Sequence, residues 1–566
     1  MSSPIITTTT INNNPKIIIA FFIFSLLLIA ASTNFFTSNS SHSYDLPIPV
    51  KIYGPDEAVL LSLKSHWTGF QYADSWIEGT NCSTWHGVYC DSTSGAVTDL
   101  DLTSTSLNGT IPPAIGNLTA LTSLVFKGNT LTGTLPSSIG LLTRLQTLFI
   151  SDNGPGLRGS IPAALSRLSN LDYLDLPRNR FSGPIPEFIL GGTMKKLISF
   201  DLSANRLTGS IPGGMLSGLS GLKHLGIADN RLTGSIPTEI GKLTALRILL
   251  IDKNRLEGPL PSSLKACTGL KLLAAGDNRL GGLLPVNTLL QLTQLESLFL
   301  HSNGIVVTSL ASLVLHPTLR NVELSLNKVA PRILATVGRM KSIEFLNLSR
   351  NGLSGSVPAS LLAYQPKLRA LDLSFNRLSG SFPWTELRGA PELVWLSIQS
   401  NMLSGRVPED PFKGLFIYNL NMSNNFFGGC LPNFGMPDRD CNLDASNNFF
   451  SGRPEIQSWG KRVCPIEVPD DDYYENAHLN VSRNCLSPVP GCNVTPQRRP
   501  ASCAAFCGTN GKSGACGGHG TCQPTPVGGK TRWRFSCVCD DGYSLKAPNV
   551  FVCERTAAAM AKEAGS

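Results

Sequence analysis

Five arginines, Arg180, Arg206, Arg231, Arg255 and Arg279, each follow directly on an asparagine and recur every 24 to 26 residues. A guanidinium is permanently charged and grips carboxylates in a two-point fork. If these positions fall on adjacent strands about 4.8 Å apart, they form a cationic stripe roughly 19 Å long. A linear polyanion or an acidic peptide could lie along it. The same positions have a plainer reading, in which arginine stems cover apolar surface while their heads stay solvated. Asp229, Asp252 and Asp277 are close enough in the chain to neutralise them. A second set, Phe149, Tyr173, Asp175, Arg178, Phe299, His301, Phe345 and Trp395, stands between regularly placed leucines. Aromatic side chains with arginine are typical interface anchors, although single exposed residues of these types occur on any surface.

Catalytic chemistry finds little to work with. The eight histidines show no ligand spacing with Cys, Asp or Glu, so no metal and no cofactor is expected. GPG (154–156) and GGHG (517–520) lack the strand–loop–helix frame of a phosphate loop and read as turns. The net charge of +8 is spread thinly, with no Lys/Arg run longer than two, which is no footprint of a nucleic-acid binder. An acidic partner such as a pectic sugar is compatible with it. The stretch DDDYYE (470–475) reads as a solvated acidic loop, with tyrosine modification or docking as the alternatives.

The elements that must position these residues follow from a repeat. Fourteen asparagines, from Asn129 to Asn448, lie 23 to 26 residues apart, and Thr105 holds the same place one period earlier. Around each the text reads L-x-x-L-x-L-x-x-N-x-L-x-G-x-I-P, the mark of a leucine-rich-repeat solenoid. We expect an α/β solenoid, a right-handed superhelix of about 15 repeats over residues 96–455 with a parallel sheet on its concave face. The asparagines should form a buried ladder bonded to the backbone of adjacent turns. G-x-I-P occurs twelve times but is missing after Asn303 and Asn327, where more helical outer segments are expected.

Residues 17–31 are almost wholly apolar, follow Lys16 and end in small residues, as in a secretory signal peptide cut near Ala31 or Ser32. The alternative is an uncleaved anchor in the plasma membrane. No second such segment follows, so a soluble product secreted to the cell wall or apoplast is expected. A linker (32–54) leads to an N-terminal cap (55–95) that closes the solenoid end, with Leu60, Leu63 and Trp67 on one face and Cys82 bonded to Cys90. Cys267 takes the place of a core leucine and is expected to be a buried free thiol. Twelve more cysteines crowd between Cys430 and Cys553, and in an exported chain they imply disulfides. A degenerate last turn (477–486) falls within the cysteine-containing segment 456–500, which is followed by a compact module (501–554) and a tail (555–566). Eight N-x-S/T sequons, at Asn39, Asn81, Asn108, Asn117, Asn347, Asn421, Asn480 and Asn493, mark glycosylation acceptors.

The G-x-I-P repeat and the cap residues Trp76, Cys82, Trp85, Gly87, Val88 and Cys90 resemble the plant-specific class of extracellular leucine-rich-repeat proteins. That class includes receptor-like proteins, ectodomains of receptor kinases and polygalacturonase-inhibiting proteins. The resemblance implies recognition of a peptide or protein partner on a solenoid surface, in development or defence, working with a membrane receptor kinase. Inhibition of a microbial wall-degrading enzyme and a structural role bound to acidic wall polysaccharide are the alternatives, and none of the three is catalysis. Unlike the receptor members, this sequence shows neither a C-terminal membrane span nor a kinase. Cys516-G-G-H-G-T-Cys522, Cys537-V-Cys539, D-G-Y (541–543) and Cys553 resemble an EGF-like module. That resemblance implies bridges Cys507–Cys522, Cys516–Cys537 and Cys539–Cys553, without calcium.

Overall fold

The computed structural model describes residues 54–154, 156–186, 194–408, 411–412, 414–430 and 442–452, with short strands at 478–480, 485–486, 520–526, 533–539, 543–547 and 550–555. The apolar segment 17–31, the linker to 53, the acidic stretch 470–475, Asn39, Asn493 and Cys441, Cys464, Cys492, Cys503, Cys507 and Cys516 lie outside the described residues.

Each L-x-L segment becomes a short strand, and these build one sheet of seventeen strands. The first, Val88–Cys90, is antiparallel to Val97–Asp101; every later pair is parallel, ending at His478–Asn480. The end strand falls within the segment 477–486, where a degenerate last turn is expected. The middle leucine of each strand points into the core, as Leu124, Leu148, Leu174 and Leu249 do, all with no exposed surface. Its two neighbours face the concave side, because side chains alternate along a strand. Register does not shift from one repeat to the next. Ser199 stands beside Tyr173 and His224, and Asp201 beside Asp175 and Gly226, so equivalent residues form straight columns.

The asparagine ladder is present. Asn230 shows its logic: its Oδ1 accepts the Leu207 N–H at 2.9 Å, and its Nδ2 donates to Leu202 O at 2.9 Å and Ala228 O at 3.1 Å. Three backbone groups of two turns are thus satisfied by one buried amide. The chain reverses at the residue before each asparagine, which adopts a left-handed backbone, as at Asp152 (φ 54°), Arg178 (φ 53°) and Ala204 (φ 55°). That conformation costs a non-glycine residue roughly 1–2 kcal/mol, and the ladder bonds next to it offset the cost. Thr105 joins through its N–H, which donates to Asn129 Oδ1 at 3.2 Å.

After the ladder the chain forms a second, discontinuous set of strands, including Arg180–Pro184, Arg206–Thr208, Arg255–Gly258 and Arg377–Ser381. Outer segments then return as short turns. The two irregular repeats do not carry longer helices: Leu310–Leu315 and Ala335–Arg339 are single 3₁₀ turns, and it is the outer segments on either side of them, Val286–Gln291 and Ser360–Ala363, that are α-helical, as is Gly213–Leu216. What changes is the second sheet. Where the left-handed glycine of G-x-I-P is missing, Val306–Val307 and Lys328–Val329 form a separate two-stranded piece, joined to the preceding repeat by the single bridge of Val306 with Leu283.

The cap closes the open end as expected. Helix Gly54–Ser65 buries Leu60 and Leu63, and Asp56 ties it to the first repeat by accepting the Val97 N–H at 2.9 Å. Trp67 is buried too, but just beyond the helix, where its indole N–H donates to Thr110 O at 2.9 Å. Trp76 and Trp85 stack at 5.4 Å between ring centres, and Cys82 is bonded to Cys90.

Candidate functional site

The straight register lines up two columns of side chains on the concave face. Between Asp99 and Asp444 these columns hold no lysine or arginine, and the second contains Asp101, Asp175, Asp201, Glu323, Asp372 and Asp444. Most of these carboxylates have a local job. Each accepts the backbone N–H two residues on: Asp101 from Thr103 (3.0 Å), Asp201 from Ser203 (2.8 Å), Glu323 from Ser325 (3.0 Å), Asp372 from Ser374 (2.8 Å) and Asp444 from Ser446 (3.0 Å). In all five the carboxylate stands two residues before a Ser or Thr, as D-L-S at 201–203 and 372–374. Asp175 departs from this pattern, because the residue two on is Pro177, which has no N–H to give.

Asp175 is buried and instead takes a hydrogen bond from the Ser199 hydroxyl at 3.0 Å. Burial, then the charge of Asp201, pushes its pKa up to about 8. The Ser199 Oγ also lies 3.1 Å from His224 Nδ1. Asp, Ser and His therefore meet, but with serine in the middle, where a hydrolytic triad places histidine. A hydroxyl donating to the carboxylate cannot at the same time give its proton to the imidazole. Burial lowers the pKa of His224, opposed by the charge of Asp201.

A second polar cluster lies further along. Burial pushes Glu323 up to about 7, opposed by the charge of His301 and by its donors. One of those donors is Asn347 Nδ2 at 2.8 Å. His301 packs flat over Gly276, where any Cβ would meet the ring, and its Nε2 lies 3.4 Å from Asp277. Burial acts to lower its pKa, yet the bond to Asp277 and the charges of Glu323, Asp277 and Asp252 together raise it. Among the described residues, no group of three or more His, Cys, Asp or Glu is placed to hold a metal ion.

Between the two clusters the columns turn apolar. Leu272, Ala274 and Phe299 form a cluster separate from the main core, with half-buried Ile248 and Leu250 packed against it. Here apolar side chains occupy concave positions in three consecutive repeats.

The residues singled out from sequence divide accordingly. Phe149, Tyr173, Asp175, Phe299, Phe345 and Trp395 stand in the concave columns, and His301 is at the strand exit. Phe149 and Tyr173 meet edge to face at 6.0 Å. Phe299 and Phe345 are not the exposed aromatics expected, with 2% and 7% of their surface accessible, because column neighbours cover them. Arg178 lies off the sheet, in the turn before Asn179, paired with Asp152 at 3.0 Å. Sequence reasoning missed Ser199, Asp201, His224, Ile248, Leu250, Leu272 and Glu323. The signal was available in their place on either side of each strand leucine.

Arg180, Arg206, Arg255 and Arg279 open strands of the second set and Arg231 stands just before Thr233–Ser235, and the stripe has a different geometry from the one expected. Register there is staggered: Arg206 lies beside Ser182, Arg255 beside Thr233 and Arg279 beside Glu257. Each arginine is thus offset two residues from the last, a step of about 8 Å rather than 4.8 Å. None of the five makes an ion pair among the described residues, so Asp229, Asp252 and Asp277 do not neutralise them by contact.

Cys267 is a buried free thiol whose Sγ donates to Ile240 O at 3.3 Å, in the leucine slot expected for it. Of the sequons, Asn108 and Asn117 are exposed, and Asn81 and Asn421 are partly so. Asn347 is fully buried with its amide on Glu323, which leaves no room for a glycan in the folded chain.

A family model described as Leucine rich repeat matches residues 195–256, and another, described as Leucine Rich Repeat, matches 96–118, 342–363 and 367–385. The chain is 31% identical over 121 residues to the DNA damage-repair/toleration protein DRT100 of Arabidopsis thaliana, covering 19% of this chain and 26% of the relative. It is 36% identical over 70 residues to a polygalacturonase inhibitor of Vitis vinifera, covering 12% of this chain and 21% of the relative. It thus spans about a quarter or less of the length of these two relatives. Among solved structures, it is similar to the plant peptide hormone receptor RGFR1 in complex with RGF2, with a TM-score of 0.57 and 32% identity, covering 68% of this chain and 59% of that one. It is also similar to PEPR1 with AtPEP1, with a TM-score of 0.61 and 29% identity, covering 77% and 62%. The chain is a leucine-rich-repeat solenoid with the architecture of plant receptor ectodomains.

Proposed function

We propose that the protein is an extracellular recognition protein that holds a peptide or protein partner on its concave face, in plant receptor-type signalling of development or defence. The apolar patch of Ile248, Leu250, Leu272, Ala274 and Phe299 carries this reading. These residues add nothing to the main core, and a concave sheet that met only water would be expected to keep polar residues there. A partner's apolar side chain seats on half-buried Ile248 and Leu250, against which Leu272, Ala274 and Phe299 are packed, and its polar groups meet half-buried Asp201 and His224. The solenoid is prefolded and capped, so little ordering entropy is lost on docking. RGFR1, a peptide hormone receptor, supports the peptide as partner class. The signal passes to a membrane receptor kinase. To test this, peptides are selected from a displayed random library on the full chain and then measured against a Leu250→Asp/Leu272→Asp variant whose fold is checked by circular dichroism. The expected loss is about thirtyfold or more, as for an interface hot spot. Equal affinity would rule out the patch.

Inhibition of a microbial polygalacturonase is the second reading, favoured by the short match to the grapevine inhibitor. A polygalacturonase assay that shows no inhibition disposes of it. The reading also includes secretion by cleavage near Ala31, checked by N-terminal sequencing of the apoplastic protein. An EGF-like module completes it, with bridges Cys507–Cys522, Cys516–Cys537 and Cys539–Cys553. Two antiparallel pairs, Gly520–Pro526 with Trp533–Cys539 and Tyr543–Ala547 with Val550–Arg555, support that module. Disulfide mapping that finds other pairs would overturn it.

A further inference from the structure

The arginine row is independent of the concave face. Along the second set of strands Arg180, Arg206, Arg231, Arg255 and Arg279 are exposed, and each is followed by a buried residue, Phe181, Leu207, Leu232, Leu256 or Leu280. Steps of about 8 Å carry the row over roughly 33 Å. Arg158, beside Arg180, extends it by one more cation. One carboxylate, Glu257 next to Arg279, stands among these strands. Of the nearby carboxylates, Asp152 is paired with Arg178 and Asp277 with His301. No sequon falls between Asn117 and Asn347, so no glycan shields the row.

Beside this row the large apolar side chains Phe181, Leu207, Leu232, Leu256 and Leu280 are all buried, so it offers charge at a fixed step and no apolar anchor of the kind a peptide normally needs. We propose that this face docks a linear polyuronide, an acidic polysaccharide bearing one carboxylate per sugar. In the extended polymer, carboxylates on the same side recur at every second sugar, a repeat comparable to the arginine step. Each guanidinium then forks onto one of them.

The test uses the full chain and a de-esterified oligogalacturonide long enough to span the row. Binding should weaken as NaCl rises, because exposed charges are screened. Arg206→Gln/Arg231→Gln/Arg255→Gln should weaken it by about tenfold, the sum of three exposed ion pairs. Arg144→Gln/Arg167→Gln/Lys265→Gln, which removes equal charge from exposed positions on the outer turns, should weaken it far less. Equal loss in the two triple variants, or no binding by the wild type, would overturn the proposal. So would equally tight binding of poly-L-glutamate, which would show charge density alone at work. Leu250→Asp/Leu272→Asp should bind the oligosaccharide normally, so this proposal and the concave-face reading fail separately.

Discussion

Asp175 offers a sharp perturbation because its environment is specified residue by residue. It is buried, it lacks the backbone donor its column neighbours enjoy, and its pKa stands at about 8. In the unfolded chain it titrates near ~3.9. Its proton is therefore held on folding and lost on unfolding across that interval. The stability it contributes is full below about pH 4 and declines by about 1.4 kcal/mol per pH unit as the pH rises towards 8. Between pH 5 and pH 7 the loss is about 2.7 kcal/mol. Asp175→Asn keeps the shape and a neutral acceptor for Ser199 while removing the titration. Thermal unfolding of both proteins at pH 5, 6 and 7 should show the variant gaining on the wild type at each step. Pro177→Ser, which restores the missing N–H, should remove part of the same slope. Parallel pH profiles for wild type and Asp175→Asn would refute the reasoning.

Asn230→Ala strands the buried Leu207 N–H and removes one of two donors from the Leu202, Ile227 and Ala228 carbonyls, at a cost of about 1–3 kcal/mol. A lower denaturant midpoint together with faster exchange of the Leu207 amide checks it. Burial pushes the Cys267 thiol up to about 11, so it should resist a disulfide reagent in the native protein and react once denatured. Glycopeptide mass spectrometry should find Asn108 and Asn117 occupied and Asn347 bare; a glycan on Asn347 would contradict its packing against Glu323.

Features set by the repeat period were legible in the sequence. The ladder, the parallel concave sheet and the Cys267 slot each follow from counting residues between leucines, and the cap disulfide from the need to close the solenoid end. Features set by how turns stack were not. The stagger of the second sheet depends on twist between repeats, so the arginine spacing came out too short. The burial of Phe299 and Phe345 depends on neighbours 24 or more residues away in either direction. The carboxylate column was not read from sequence, although D-L-S at 201–203 and 372–374 spells a cap for the strand exit. The one break in that motif, D-L-P at 175–177, was readable all along as a missing donor.

The central claim is that recognition occurs on the concave face. A library-selected peptide carrying a photoreactive group, cross-linked to the full chain and mapped by mass spectrometry, tests it most directly. The account predicts links to strands His224–Gly226 through Ser297–Phe299 and their flanking residues. Links confined to the outer turns, such as Thr238–Lys242 and Ser262–Ala266, would contradict it.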